Sequence, residues 1–151
     1  MDPDTNVCLH GDFTADNVCI REPDVTLVIV DWSTAPVLDS LATYGSFYFD
    51  VLWFLHFLFQ STPPGMFKVR EKLADAFLCG YAAATSRKLD EVKFDDFRRR
   101  FIPLQDKWLR VQTGRRPWFK RIPFRLRQRR VRQAWQRYRL PEMCARARIR
   151  S

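Results

Sequence analysis

The stretch HGDFTADN, His10 to Asn17, reads as a polar loop that carries an aspartate near its start and an asparagine at its end. A strongly apolar run, LVIVDW from Leu27 to Trp32, follows it and closes with a second aspartate. Between the two lie segments rich in β-branched residues, Val18 to Arg21 and Thr26 to Val30, joined by the turn-like EPD. This pattern predicts a β-hairpin whose second strand returns to the end where the first one begins.

Three oxygen-bearing side chains are therefore expected at one end of the hairpin. Phosphoryl transfer needs a group that orients the attacking hydroxyl and ligands that hold Mg²⁺ on the phosphates. Asp12 is the candidate catalytic base. Asn17 and Asp31 offer the oxygen ligands that Mg²⁺ prefers, and two protein ligands suffice because this ion keeps several waters. The alternative is an ordinary loop in which Asp and Asn cap turns.

Apolar patterns downstream predict helices. The run from Phe47 to Phe59 is shorter than the ~20 residues that span a bilayer. It predicts a buried helix from about Gly45 to Gln60, in which His56 is a core or half-buried residue. Two further helices are predicted at Phe67 to Ser86 and Phe94 to Val111, the latter kinked at a proline. The expected fold class is α+β and mainly α, with a short β-hairpin and a helical bundle.

Charge divides the chain unevenly. Residues 1–97 hold 7 Lys/Arg against 15 Asp/Glu, whereas residues 98–151 hold 19 against 2. Such a basic segment predicts a phosphate-rich partner, which is an anionic membrane, a nucleic acid or a phosphorylated glycan, bound through the Arg-rich residues 98–150. Interleaved Trp and Phe favour the membrane, and a solvated helix face is the third alternative. The predicted domains are a folded part, 1–111, and a basic C-terminal arm, 112–151.

Four cysteines are scattered through the chain without a CxxC motif. This arrangement is typical of reduced thiols in a cytosolic protein. The first residues, MDPDTN, have neither a basic nor an apolar leader segment. The expected location is cytoplasmic, with peripheral attachment to a membrane.

The motifs at the hairpin carry a family resemblance. The sequence has HGD at 10–12, then Asn17, then an Asp-Trp pair at 31–32 after an apolar strand. This spacing resembles the catalytic core of the aminoglycoside phosphotransferase/choline kinase family, which has the protein-kinase-like fold. Gly45 and Asp50 in YGSFYFDVLWFL are similar to the family's continuation, a Gly followed by an Asp that opens an apolar helix.

The resemblance implies the C-terminal lobe of a kinase-like phosphotransferase. It implies ATP- and Mg²⁺-dependent phosphorylation of a small-molecule hydroxyl, on an aminoglycoside, a sugar or a choline-like acceptor. By resemblance Asp12 is the catalytic base, Asn17 and Asp31 bind magnesium, His10 braces the loop, and Asp50 anchors the loop backbone. The match covers about residues 8–55, and it departs from the family after the Asp-Trp pair, where a serine replaces the usual Glu or Gly.

Kinases of this fold carry a Gly-rich loop and a phosphate-binding Lys on an N-terminal lobe that precedes the catalytic loop. No such elements precede the HGD motif here, so the resemblance covers the C-terminal lobe only. A complete ATP site is expected to need the missing lobe in cis, from a longer gene product, or in trans, from another chain. The alternative function is a non-catalytic, kinase-derived module that binds an anionic membrane or nucleic acid through its basic arm.

Overall fold

The computed structural model describes residues 7–22, 24, 26–32, 44–61 and 63–141. In this part of the chain the elements are the strands β1 Val7–Cys8, β2 Val18–Arg21, β3 Thr26–Ile29 and β4 Tyr44–Gly45, and the helices α1 Tyr48–Ser61, α2 Phe67–Thr85, α3 Glu91–Gly114 and α4 Trp118–Arg137. The chain is α+β and mainly helical, which confirms the coarse fold class. It forms two compact units, residues 1–58 and 59–151, and the division falls inside α1.

The described residues of the first unit form two small antiparallel sheets. Strands β2 and β3 pair as the predicted hairpin, with Val18 opposite Ile29. Strands β1 and β4 pair over two residues each. Gly45 lies close to the buried Leu9, because a Cβ there would lie 2.9 Å from Leu9 Cδ1 and the leucine side chain would have to shift.

Helix α1 begins with the residues that hold the polar loop and continues into the apolar core. Asp50 lies in its first turn, where a carboxylate interacts favourably with the helix dipole. Val51, Leu52 and Leu55 are fully buried. His56 is also buried, as the sequence predicted, and packs against aromatic rings of the same helix.

The burial of His56 predicts a pH-dependent stability. Burial lowers its pKa to about 3, whereas an unfolded histidine titrates near 6.5. As the pH falls below about 6.5, the unfolded chain takes up the proton first, so the free energy of unfolding should fall by about 1.4 kcal/mol per pH unit, or about 2 kcal/mol at pH 5. Urea unfolding at several pH values measures this slope. The variant His56→Gln should lack this share of the slope, and parallel slopes in both proteins would contradict the assignment.

The second unit packs its helices around aromatic side chains. Phe59 meets Trp135 and Tyr138 edge to face, each at 5.6 Å between ring centroids. Phe94 also contacts the Trp135 ring edge to face, at 6.4 Å between centroids. Asp90 caps α3 by accepting a hydrogen bond from the Lys93 N–H at 2.9 Å.

The structure extends the predicted helices. Helix α3 starts three residues before the predicted Phe94 and continues past Pro103, the position of the expected kink. Much of the predicted basic arm is helix α4, which belongs to the second unit. The predicted domain boundary at residue 111 lies inside that unit, and residues 142–150 of the Arg-rich segment lie outside the described residues.

Cysteine chemistry departs from the sequence interpretation at one position. Cys8 and Cys19 are free thiols, but Cys79 is disulfide-bonded. The expectation of reduced cysteines is therefore wrong for Cys79. Among the helices described, none has both the length and the apolar content required to cross a bilayer.

Candidate functional site

The HGD loop is held by a carboxylate from α1. Asp50 accepts hydrogen bonds from two consecutive backbone N–H groups, from His10 at 2.7 Å and from Gly11 at 2.9 Å. The φ angle of Gly11 is 82°, a conformation that favours glycine. Burial raises the pKa of Asp50, while the two N–H groups oppose that rise. The loop backbone is thus fixed from a helix about 40 residues further along the chain.

His10 ties the loop to the end of the hairpin. Its ring accepts a hydrogen bond at Nδ1 from the backbone N–H of Asp12, at 3.3 Å. Nδ1 therefore carries no proton, and Nε2 donates to the carbonyl of Val30 at 2.9 Å. The ring is buried and packs against Trp32, with 4.9 Å between centroids. In this position His10 has a structural contact at each ring nitrogen.

The carboxylate of Asp12 is oriented by a tryptophan. The indole N–H of Trp53 donates to Asp12 Oδ1 at 2.8 Å, and Trp53 itself is buried. Sequence reasoning missed this contact. A signal for it was available, because Trp53 lies three residues after Asp50, and residues at that spacing share a helix face.

Asn17 also connects the HGD loop to the β2–β3 hairpin. Its side-chain amide donates through Nδ2 to the Asp12 carbonyl at 2.8 Å, and its backbone carbonyl accepts from the Val30 N–H at 3.0 Å. The hairpin register places Val18 opposite Ile29, so Asn17 lies opposite Val30. Asp31 follows directly and is exposed, with φ 59°, in the left-handed region that Asp tolerates better than most residues.

Four hydrogen bonds therefore close a ring through the site. The ring runs from His10 to Val30, Asn17, Asp12 and back to His10. The ring contains the predicted base, Asp12, and one predicted magnesium ligand, Asn17, and the other predicted ligand, Asp31, directly follows its member Val30. The side chain of Asp31 makes no hydrogen bond to any described residue.

No group of three or more His, Cys, Asp or Glu residues in the described ranges is arranged to hold a metal ion. The predicted magnesium ligands, Asn17 and Asp31, include one carboxylate and one amide, so they do not form a group of that kind. Both are oxygen donors of the type that Mg²⁺ binds together with water.

Comparison with known proteins adds no family assignment. No protein-family model matches the chain, and neither a curated protein nor a solved structure matches it.

Proposed function

We propose that the HGD loop and the end of the hairpin form a phosphotransferase site in a kinase-like C-terminal lobe. Its reaction is the transfer of the γ-phosphoryl group of ATP to the hydroxyl of a small molecule, such as an aminoglycoside, a sugar or a choline-like compound. The observation that supports the proposal is the closed hydrogen-bond ring, which holds Asp12 and Asn17 together with Val30, the residue directly before Asp31.

Asp12 is the proposed catalytic base. Trp53 occupies its Oδ1, which fixes the plane of the carboxylate and leaves Oδ2 for the acceptor hydroxyl. A base in this position accepts the hydroxyl proton as the oxygen attacks the phosphorus. Asp50 supports this geometry indirectly, because it holds the backbone immediately before Asp12.

Asn17 and Asp31 are the proposed magnesium ligands. The Asn17 Nδ2 donates to the Asp12 carbonyl, so Oδ1 of the same amide faces away from that carbonyl and remains an acceptor. The exposure of Asp31 suits an ion that keeps part of its water shell. Bound there, Mg²⁺ would neutralise negative charge on the phosphates of ATP. The adenine side of ATP is proposed to bind the nucleotide-binding lobe, in cis or in trans.

An ordinary capping loop explains part of this geometry. A hydrogen bond from Asn17 back to Asp12 is what a polar turn makes for itself. It does not explain why a carboxylate from α1 is partly buried under the loop, since burying a charge is costly unless it is hydrogen-bonded. Nor does it explain an indole directed at the Asp12 carboxylate. These contacts from α1 favour a site that requires a fixed loop.

The magnesium assignment predicts site-specific metal binding. Mn²⁺, a paramagnetic substitute for Mg²⁺, should broaden the backbone NMR signals around Asn17 and Asp31 more strongly in the presence of ATP. Asp31→Asn should abolish this effect, because the anionic ligand is lost. The matched control is Asp24→Asn at the opposite end of the hairpin, where Asp24 pairs with Arg21 at 2.7 Å. Equal broadening in the wild type and Asp31→Asn would remove the metal assignment.

A further inference from the structure

Helix α4 exposes an apolar surface on the side away from the core. Four large apolar side chains form this apolar stripe, and they are 80, 57, 68 and 55% exposed respectively: Trp118, Phe119, Ile122 and Leu126. The buried residues of the helix are Gln128, Val131 and Trp135. At about 100° per residue the two sets lie on roughly opposite sides of α4. The apolar stripe therefore lies outside the buried core side of this helix.

An arginine-rich cleft of about 510 Å³ runs beside the apolar stripe, between α3 and α4. Its charged lining residues are Asp106, Arg110, Arg121, Arg125, Arg129 and Arg132. Five arginines against one aspartate give the cleft a formal charge of +4. We call this set the arginine cleft.

Most of these charges have no acidic partner. Arg132 pairs with Asp106 at 3.0 Å, and Arg121 donates to the backbone carbonyl of Arg116 at 3.0 Å. No described residue forms an ion pair or a hydrogen bond with the side chains of Arg110, Arg125 and Arg129. The N–H donors of these three guanidinium groups are therefore available to a ligand.

The arginine cleft is unfavourable for folding on its own. Arg121, Arg125 and Arg129 follow one another at intervals of four residues on one helix, and like charges at this spacing destabilise a helix. Helix α4 contains eight Lys/Arg and no Asp or Glu. A bound anion would offset this repulsion, and guanidinium groups bind phosphate oxygens through paired hydrogen bonds.

We propose that this face of α4 docks on an anionic lipid membrane, with the apolar stripe at the headgroup level and lipid phosphates in the arginine cleft. Trp and aliphatic side chains flanked by arginines are typical of helices that lie in the membrane interface. A nucleic acid fits less well, because Ile122 and Leu126 cannot stack on bases as aromatic rings do. The inference uses only residues of the second unit and is independent of the proposed phosphotransferase site.

Vesicle flotation tests the proposal with the whole chain. The vesicles are phosphatidylcholine alone, or phosphatidylcholine mixed with phosphatidylserine or phosphatidic acid. Binding is expected only to the anionic vesicles and should weaken with added salt. The double variant Trp118→Ser/Ile122→Ser should bind at least about tenfold more weakly. Its control is Val92→Ser, which removes another highly exposed apolar side chain, at the start of α3.

The arginine cleft is tested against an equal loss of charge elsewhere on α4. Arg125→Gln/Arg129→Gln removes two cleft arginines, whereas Arg130→Gln/Arg137→Gln removes two exposed arginines outside it. The cleft pair is expected to lose about tenfold more vesicle affinity than the control pair, because its guanidinium groups converge on the same phosphate. Circular dichroism should show an unchanged helix content in all variants.

Two results would overturn the proposal. If the cleft pair and the control pair lose the same vesicle affinity, the arginine cleft is not a specific phosphate site and acts only as part of a general basic surface. If Trp118→Ser/Ile122→Ser leaves vesicle binding unchanged, and the wild-type chain binds a single-stranded oligonucleotide more tightly than it binds vesicles, the face would be assigned to nucleic acid. Neither result would affect the Mn²⁺ broadening expected at Asn17 and Asp31, so the two proposals fail separately.

Discussion

Replacing Arg98 by methionine is expected to lower the free energy of unfolding by about 2 to 4 kcal/mol, mainly because two buried carbonyl groups lose their hydrogen-bond donor. Arg98 is 7% exposed. One of its terminal nitrogens donates to the Trp135 carbonyl at 3.2 Å and the Tyr138 carbonyl at 2.7 Å. The other donates to Asp95 Oδ1 at 2.7 Å.

The size of this effect follows from the acceptors that the variant leaves behind. The carbonyls of Trp135 and Tyr138 lie at the C-terminal end of α4, where no further helical N–H groups follow. A cation there also interacts favourably with the helix dipole. Burial lowers the pKa of Arg98, while Asp95 opposes this shift, and guanidinium still remains charged at neutral pH. Methionine fills a similar volume but supplies no donor.

Arg100→Met is the matched control on the same helix. Arg100 pairs with Asp96 at 2.8 Å, but its side chain is 73% exposed, so its loss should cost less than about 0.5 kcal/mol. Arg98→Lys should be intermediate, because an ammonium keeps the charge but lacks the planar fork. Urea unfolding monitored by circular dichroism gives all three values. Similar losses for Arg98→Met and Arg100→Met would contradict the structural role of Arg98.

The hairpin and the first three helices were predictable because each carries a strong local signal. β-Branched residues mark β2 and β3, a continuous apolar run marks α1, and apolar residues at helical spacing mark α2 and α3. The pairing of β1 with β4, in which Val7 lies opposite Gly45, could not be predicted from the sequence. Strands of two residues are too short to show a periodicity. Helix α3 continues through Pro103 because residues on both sides of the proline, Phe101 and Gln105, are buried and hold the helix in place.

Helix α4 illustrates a different limit of sequence reasoning. Its core side contains Val131 and Trp135, whereas Trp118 and Ile122 lie on the exposed side. Apolar residues on two opposite sides cancel in a periodicity analysis, and arginines at most remaining positions give the impression of an unstructured basic arm. In the structure, the presence of apolar residues on both the buried and the exposed side of α4 distinguishes the apolar stripe from an ordinary polar helix face.

In the candidate site, the sequence identified residue types but not the contacts that orient them. The HGD spacing placed Asp12 and Asn17 on one loop, and the family resemblance implied that Asp50 is its anchor. The contact of the Trp53 indole was not predicted, although Trp53 shares a helix face with Asp50, because a tryptophan on an apolar helix is normally a core residue. Its contact with Asp12 depends on the approach of the loop to α1, and that approach is tertiary structure.

Asp12→Asn is expected to reduce phosphoryl transfer by about 10² to 10⁴ fold, the range for loss of a general base. An asparagine keeps the size of the side chain and an Oδ1 that can still accept from Trp53, so the loop should stay folded. The amide cannot take the proton of the acceptor hydroxyl. Transfer from Mg-ATP is measured on the full-length gene product with a panel of aminoglycosides, sugars and choline.

Metal binding separates this catalytic effect from a structural one. Asp12→Asn should retain the Mn²⁺ broadening near Asn17, because Asp12 is not a proposed ligand, whereas Asp31→Asn should lose it. Asp16→Asn, an exposed neighbour in the same loop, should leave both binding and transfer unchanged. Equal transfer by wild type and Asp12→Asn would remove the base assignment. Metal binding without transfer to any acceptor would instead favour a non-catalytic, kinase-derived module, in which the fixed loop has kept its geometry but not its reaction.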